Sequence, residues 1–379
     1  MTEYQYPTAY TSWGTEEKAA MERVIRSGRF TMGAEVEAAE AELAAYHGRK
    51  HCIMVNSGSS ANLVAVAALH LVQNLGYNII VPALAWPTTY SPFVQYGRNF
   101  DVQDCDETWN LSYKGLISRD GDEFLDLISA VVAVNILGIP GYIGGIKKWC
   151  VENGKILIED NCESFGARYD DKLCGTFGLV STLSFYHSHQ ISAIEGGAIL
   201  TDEDDIAKKC RMLRNHGWTK GVEKPKKFQD EYKFVHHGYN VRPLELHAAI
   251  LREQLKKAEE MARVRRDNYF RLRKVASEFE LGLPAICDPK GINPFNFSFL
   301  CENAEQRDYM AGKLREKSID CRPVVGGCYM SQPYYSNVDD VRETPKAEEI
   351  HYRGISIGVP LRENTSLEYR LLEIFKETL

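Results

Sequence analysis

Residues 127–135 are almost wholly apolar and β-branched near their middle. A run without polar alternation belongs to a parallel strand buried on both faces. Burial on both faces requires helices on both sides of the sheet, which commits the chain to an α/β architecture. The flanking sequence agrees. Residues 52–55, 77–82, 100–104, 155–159, 181–186 and 197–201 read as further strands, and residues 15–27, 34–46 and 61–72 as helices. The expected large domain covers residues 1–250, a mostly parallel sheet with an N-terminal helical segment. Residues 246–279 read as one long helix or two, with apolar positions recurring around Ala248, Leu251, Leu255 and Met261. Strand-like residues 293–299 and 356–359 and helix-like residues 307–317 and 366–376 lie beyond it. They define a second expected unit, residues 251–379, made of a linking helix and a small C-terminal α+β domain.

A chain of 379 residues is long enough to bury cores of this kind. Its 44% apolar and 26% charged residues are ordinary for a globular protein, and its net charge of -7 comes with no long basic run. The basic patch at residues 220–227, interrupted by Glu223, reads as a solvated loop, so no nucleic-acid partner is expected. No apolar run reaches membrane-spanning length, and the polar N-terminus lacks the apolar core of a signal peptide. No membrane association and a cytoplasmic location are therefore expected. The ten cysteines are scattered without a close Cys-x-x-Cys pair, as reduced core cysteines are. Neither a disulfide framework nor a metal site is expected.

Ligand sites in open parallel sheets gather at the carboxyl ends of the strands. Asn56, Ser57, Gly58, Ser59 and Ser60 stand between a strand and a helix. Glycine admits close backbone approach, the serines offer hydroxyls, and the helix start favours phosphate; the same residues also suit a plain Ser-Gly turn. Asp160 follows an apolar strand. A carboxylate there is placed to pair with a protonated pyridine nitrogen, or to cap the next helix. Glu163, three residues on, would share that helical face. Trp86 also follows a strand, placed to stack on a flat ring or to pack at a sheet edge. Asn240 and Arg242 lie in a glycine-turned loop, suited to meeting phosphate or to holding loop backbone. His189 stands between Ser184 and Glu195, and histidine moves protons near neutral pH.

In one order, Gly33 with Glu37, residues 57–62, Val81 with Pro82, Glu159 with Asp160, Ser184 with Phe185, residues 195–197 and residues 238–246 resemble the DegT/DnrJ/EryC1/StrS family of sugar aminotransferases. The resemblance runs over nearly the whole chain and implies a fold-type I transferase dependent on pyridoxal 5'-phosphate. It implies that Gly58, Ser59 and Ser184 bind the cofactor phosphate and that Trp86 stacks on the ring. Asp160 would hold the ring nitrogen and Glu163 would lie near the ring hydroxyl. Asn240 would reach the phosphate from the neighbouring subunit, so a homodimer with active sites at the subunit interface is expected.

His189 departs from the aminotransferases, whose lysine at that place holds the cofactor covalently. With Trp86, residues 215–218 and residues 321–324, it is similar to the 3-dehydratase branch acting on GDP-4-keto-6-deoxy-D-mannose. That branch leads to 3,6-dideoxy sugars such as colitose in lipopolysaccharide O-antigens. It implies pyridoxamine 5'-phosphate as the reacting form, L-glutamate as amino donor and His189 as catalytic base. His216, Trp218, Arg242 and Arg322 are the candidate contacts to the nucleotide-linked 4-keto sugar, and residues 217–231 a candidate substrate cover. A second histidine branch carries an iron–sulfur cluster on cysteines after the histidine motif. Residues 215–221 contain no cysteine, so no cluster is expected. Gln190 stands where the chosen branch often has another histidine, which leaves open a different sugar or nucleotide. The alternatives are an enzyme of either type on another nucleotide-linked keto sugar, and a non-catalytic protein that binds cofactor or sugar nucleotide.

Overall fold

The chain begins with helices α1 (Thr15–Ser27) and α2 (Ala34–His47), each ended by a glycine at positive φ, Gly28 and Gly48. The computed structural model describes residues 4–73, 75–121, 125–334 and 343–379. The start of α2 is held from a distance. Buried Glu245 accepts hydrogen bonds from the amides of Gly33, Glu35 and Val36 at 2.8, 3.0 and 2.9 Å. This seats a carboxylate on the positive end of the helix.

Strands and helices then alternate: β1 (His51–Val55), α3 (Gly58–Val72), β2 (Asn78–Pro82), α4 (Pro87–Gln95), β3 (Asn99–Gln103), α5 (Tyr113–Ile117), β4 (Ile128–Val134), α6 (Ile143–Glu152) and β5 (Ile156–Asp160). A short hairpin, β6 (Arg168–Tyr169) and β7 (Lys172–Leu173), leads to β8 (Val180–Ser184), β9 (Gly197–Thr201) and α7 (Asp204–Leu213). The main sheet has the order β1-β9-β8-β5-β4-β2-β3. Pairing is parallel from β8 to β3, while β9 runs antiparallel to both β8 and β1. The apolar run that announced the fold is β4, inside this sheet. Its Ala130, Val132 and Val134 pack in one core with α3, and Val131 and Ala133 pack in another with α6. Each fully buried valine contributes roughly 1.5–3 kcal/mol to this sandwich.

Helix α8 (Glu245–Ser277) is continuous, so a division at residue 250 cuts through it. Its Ala248, Leu251, Ala258 and Met261 share a core with α2, and its Tyr269, Leu272 and Ala276 share another with the C-terminal elements. These are β10 (Asn296–Leu300), α9 (Ala304–Glu316), β11 (Cys321–Arg322), α10 (Pro345–Arg353), β12 (Gly354–Gly358) and α11 (Thr365–Thr378). The three strands form an antiparallel sheet of order β10-β12-β11.

One local expectation fails. No helix follows Asp160, because residues 161–167 fold as successive turns closed by Ser164 N–H to Asn161 O (3.1 Å) and Ala167 N–H to Ser164 O (3.0 Å). Asp160 therefore caps no helix, and Glu163 reaches the same region by a turn rather than by a shared helical face. Among the described residues no helix is long and apolar enough to cross a membrane. No group of three or more His, Cys, Asp or Glu side chains there is placed to hold a metal ion.

Candidate active site

The carboxyl ends of β5 and β8 meet the N-termini of α3 and α4 around a cavity of about 270 Å³. Gly58, Ser59, Trp86, Thr88, Asp160, Cys162, Glu163, Ser184 and His189 line it. Phe295, Asn296, Arg322, Pro323 and Val325 approach from the C-terminal part of the chain.

The α3 end is built for an anion. Ser57 caps the helix by accepting from the Ser60 amide at 3.1 Å, and the amides of the first turn have no partner inside the helix. A Cβ at Gly58 would sit 2.7 Å from both Cys162 Sγ and Ser184 Cβ. Only glycine lets this turn lie against the end of β8. Ser59 Oγ and Thr88 Oγ1 are 2.7 Å apart and tie the two helix starts together. Thr88 is a site residue that the sequence reading did not single out.

Two adjacent carboxylates at the end of β5 have different tasks. Glu159 is fully buried and accepts from the amides of Gly175, Phe177 and Gly178 at 2.7, 2.8 and 2.8 Å. It anchors the end of β5 so that Asp160 turns to the cavity. Asp160 is itself buried and accepts from Asn62 Nδ2 (2.8 Å), Thr89 Oγ1 (2.8 Å), Thr182 Oγ1 (3.4 Å) and the Cys162 amide (3.1 Å). All four donors are neutral. Asn62, Thr89 and Thr182 were missed as individual site residues; the one legible clue was that Gly58 and Asn62 share a helix face. Glu163 Oε2 accepts from the Leu137 amide at 2.9 Å. Burial pushes the Glu163 carboxyl up to about 7, against that bond, with nearby Asp160 adding to the rise. Leu137 is itself held at φ 58°, an uncommon conformation for leucine.

His189 lies in a turn closed by its own amide to Tyr186 O (3.0 Å), with its ring 5.2 Å from that of Phe295 and 5.8 Å from that of Tyr186. Burial pushes the imidazole down to about 4, outweighing the raising effect of the Ser184 main chain. At neutral pH it is an uncharged base. Its Nδ1 is buried without a hydrogen-bond partner. No lysine lines the cavity among the described residues.

The remaining expected contacts divide. Trp86 lines the cavity and is 55% exposed, so its indole is available to a flat ring rather than packed at a sheet edge. Arg322 lines the cavity as well. Asn240, His216, Trp218 and Arg242 do not. They form a separate loop cluster, in which Arg242 Nη1 donates to Asn215 Oδ1 at 2.6 Å and lies 3.0 Å from His216 Nε2. Asn215 and Asn240 pair as an isolated bridge, and Trp218 stacks on Tyr232 at 5.2 Å. Residues 217–231 lie on this side and contribute no cavity lining. Gln190 also turns away from the cavity. It is buried, with Nε2 donating to the carbonyls of Glu163 and Asn293, so any effect on sugar choice is indirect.

The sheet order, the anion seat at a helix start and the strand-end carboxylate define a fold-type I pyridoxal-phosphate transferase architecture. The chain belongs to the DegT/DnrJ/EryC1/StrS aminotransferase family, whose model matches residues 12–369. A relative from Escherichia coli O55:H7 (strain CB9615 / EPEC), GDP-4-keto-6-deoxy-D-mannose 3-dehydratase, is 36% identical over 93% of this chain and 95% of its own length. A solved histidine-to-asparagine variant of GDP-4-keto-6-deoxymannose-3-dehydratase with bound GDP-perosamine superposes with a TM-score of 0.91 at 34% identity, covering 98% of this chain and 100% of that one. A structure of such an enzyme with a trapped PLP-glutamate geminal diamine gives 0.90 at 34% identity, with the same coverage of 98% and 100%.

Proposed function

We propose that this chain removes the C3 hydroxyl of a nucleotide-linked 4-keto-6-deoxy sugar, GDP-4-keto-6-deoxy-D-mannose before others, with pyridoxal or pyridoxamine 5'-phosphate as cofactor and L-glutamate as amino donor. One observation carries the reading: among the described residues a neutral, half-buried histidine, and no lysine, lines a cavity otherwise furnished for that cofactor. The furnishing fits the group. Asp160 is a buried carboxylate with only neutral donors, suited to a protonated ring nitrogen. The first turn of α3 and Ser184 suit its phosphate, Glu163 its ring hydroxyl, and half-exposed Trp86 one face of its ring.

When bound, the cofactor in its amine form supplies the nitrogen that engages the C4 ketone and a ring that accepts the electrons displaced. Asp160 would hold the ring nitrogen protonated. His189 would take a proton from the carbon that carries the amine and, as an imidazolium, would give it to the departing C3 hydroxyl. The absence of a lysine leaves the amine form free to react and exchange. The products are a 3-deoxy-4-keto sugar and ammonia, and glutamate leaves as 2-oxoglutarate. Such a product lies on the way to a deoxysugar of a surface polysaccharide, and the ten free thiols suit a cytoplasmic setting.

In this reading residues 1–250 hold the cofactor, and residues 251–379 close the cavity over the sugar through Arg322. The enzyme is a homodimer. The cluster of Asn240, His216, Trp218 and Arg242 contributes nothing to the lining of its own cavity, which supports its serving the cavity of a second copy. The test is direct. Incubation with pyridoxal phosphate, glutamate and GDP-4-keto-6-deoxymannose yields ammonia and a 3-deoxy product; a stable 4-amino sugar in their place overturns the proposal. Other nucleotide-linked keto sugars are ranked by kcat/KM, which sets substrate choice better than binding does.

A further inference from the structure

Gln190 and Arg265 are absent from the cavity lining, yet both are buried and both bear on the residues that flank it. Arg265 reaches from the middle of α8 to donate to the carbonyls of Gln190 (2.6 Å) and His189 (3.3 Å). Burial pushes its guanidinium down to about 9, and among the described residues no anion pairs with it. A charge desolvated in this way is a net cost to folding, and an apolar side chain of the same size would pack more cheaply. What it obtains is a hold on the main chain of the base.

Gln190 completes the hold. Its Nε2 donates to the carbonyls of Glu163 and Asn293. Asn293 Nδ2 donates to Phe165 O at 2.8 Å, and its amide to Gly138 O at 2.9 Å. The amide of neighbouring Leu137 meets the Glu163 carboxylate at 2.9 Å. Gly138, at φ 76°, has no room for a Cβ, which would lie 2.0 Å from Asn293 O. The bonds form a closed circuit behind the cavity wall, running from the His189 turn to the Glu163 turn and back.

We infer that Arg265 and Gln190 are positioning residues, which fix His189 relative to Glu163 through main-chain bonds without touching substrate. The inference rests on the reading that His189 and Glu163 act on a bound cofactor. Arg265→Met and Gln190→Met each remove donors at nearly constant volume, and Arg265→Lys keeps the charge with fewer donors. In the ligand-free protein, amide hydrogen exchange over residues 185–193 should quicken in both Met variants, and over residues 161–167 in Gln190→Met, while β4 stays protected. In the loaded enzyme kcat should fall ~10- to 100-fold, with KM for the sugar held within about twofold, the mark of misplaced rather than lost groups. Arg265→Met should keep or raise its Tm, and Arg265→Lys should lie between it and wild type in kcat. Unchanged exchange in both turns overturns the inference, as does loosened exchange with kcat per folded molecule unaltered. A wild type that turns over no 4-keto sugar sinks the dehydration proposal instead, because exchange without ligand still judges the brace.

Discussion

At the scale of single residues, the site separates an acid from a base by environment. His189 is pushed down to about 4 by burial and Glu163 up to about 7 by the same cause, so both are uncharged in slightly acidic solution. Replacing His189 by asparagine removes the proposed proton carrier but leaves the anion seat and Asp160 intact. His189→Asn should bind pyridoxal phosphate with near-normal affinity, read by absorbance titration, and lose dehydration by at least ~10²-fold. Near wild-type turnover would show that another group is the base. Glu163 makes a different prediction, in stability. Its folded value lies above the ordinary 4.5, so folded Glu163 keeps a proton that the unfolded chain has lost. That contribution is complete below pH 4.5 and disappears as pH rises through about 7. Glu163→Gln removes the slope. From pH 4.5 to 8 its unfolding free energy should gain on wild type by at most on the order of 3 kcal/mol, at 1.4 kcal/mol per pKa unit. Urea unfolding at both ends of the range measures it, and parallel curves for the two proteins would refute the assignment.

At the scale of elements, the two helix starts decide what the cavity can hold. Gly58→Ala pushes a methyl group into Cys162 Sγ and Ser184 Cβ, both 2.7 Å away. Lifting α3 from β8 should cost about 1–3 kcal/mol of stability and weaken cofactor affinity together. Gly312→Ala is the contrasting change. It lies within α9 with nothing inside 4 Å of the new Cβ, and helix propensity alone should stabilise the protein by roughly 0.5–1 kcal/mol. Thermal melts of the pair check both signs. The same elements show what sequence can disclose. β4 was legible because burial on both faces forbids polar alternation, and α1 because its acidic first turn and terminal glycine mark both ends. A helix after Asp160 was one of two open readings, and it is not formed because turns 161–167 are closed by backbone bonds that no residue pattern announces. Asp160 itself was legible from its place at a strand end. Its donors Thr89 and Thr182 were not, since they come from α4 and β8 and meet only in the folded chain.

At the scale of the whole molecule, the expected contacts separate into those that share one cavity and those that do not. Gly58, Ser59, Trp86, Asp160, Glu163, Ser184, His189 and Arg322 line one cavity, while Asn240, His216, Trp218 and Arg242 gather on a loop that contributes none of its lining. The resemblance implies that Asn240 serves the neighbouring subunit, but it gives no such assignment for His216, Trp218 and Arg242. Mixed dimers test the assignment of Asn240. Under the proposed arrangement, each site takes His189 from one subunit and Asn240 from the other. His189→Asn lacks the base, and Asn240→Asp sets a carboxylate against the phosphate, so each homodimer should be nearly inactive. In a hybrid dimer both defects fall in one site and leave the other intact. Random mixing of equal amounts makes half the dimers hybrids with one working site in two, so activity should return to about a quarter of wild type, as two-fold symmetry requires. Activity measured before and after the subunits are exchanged by mild urea and dilution reads the result. No recovery in a mixture shown by mass spectrometry to contain hybrids would mean that Asn240 serves its own subunit, or that the site is complete without it.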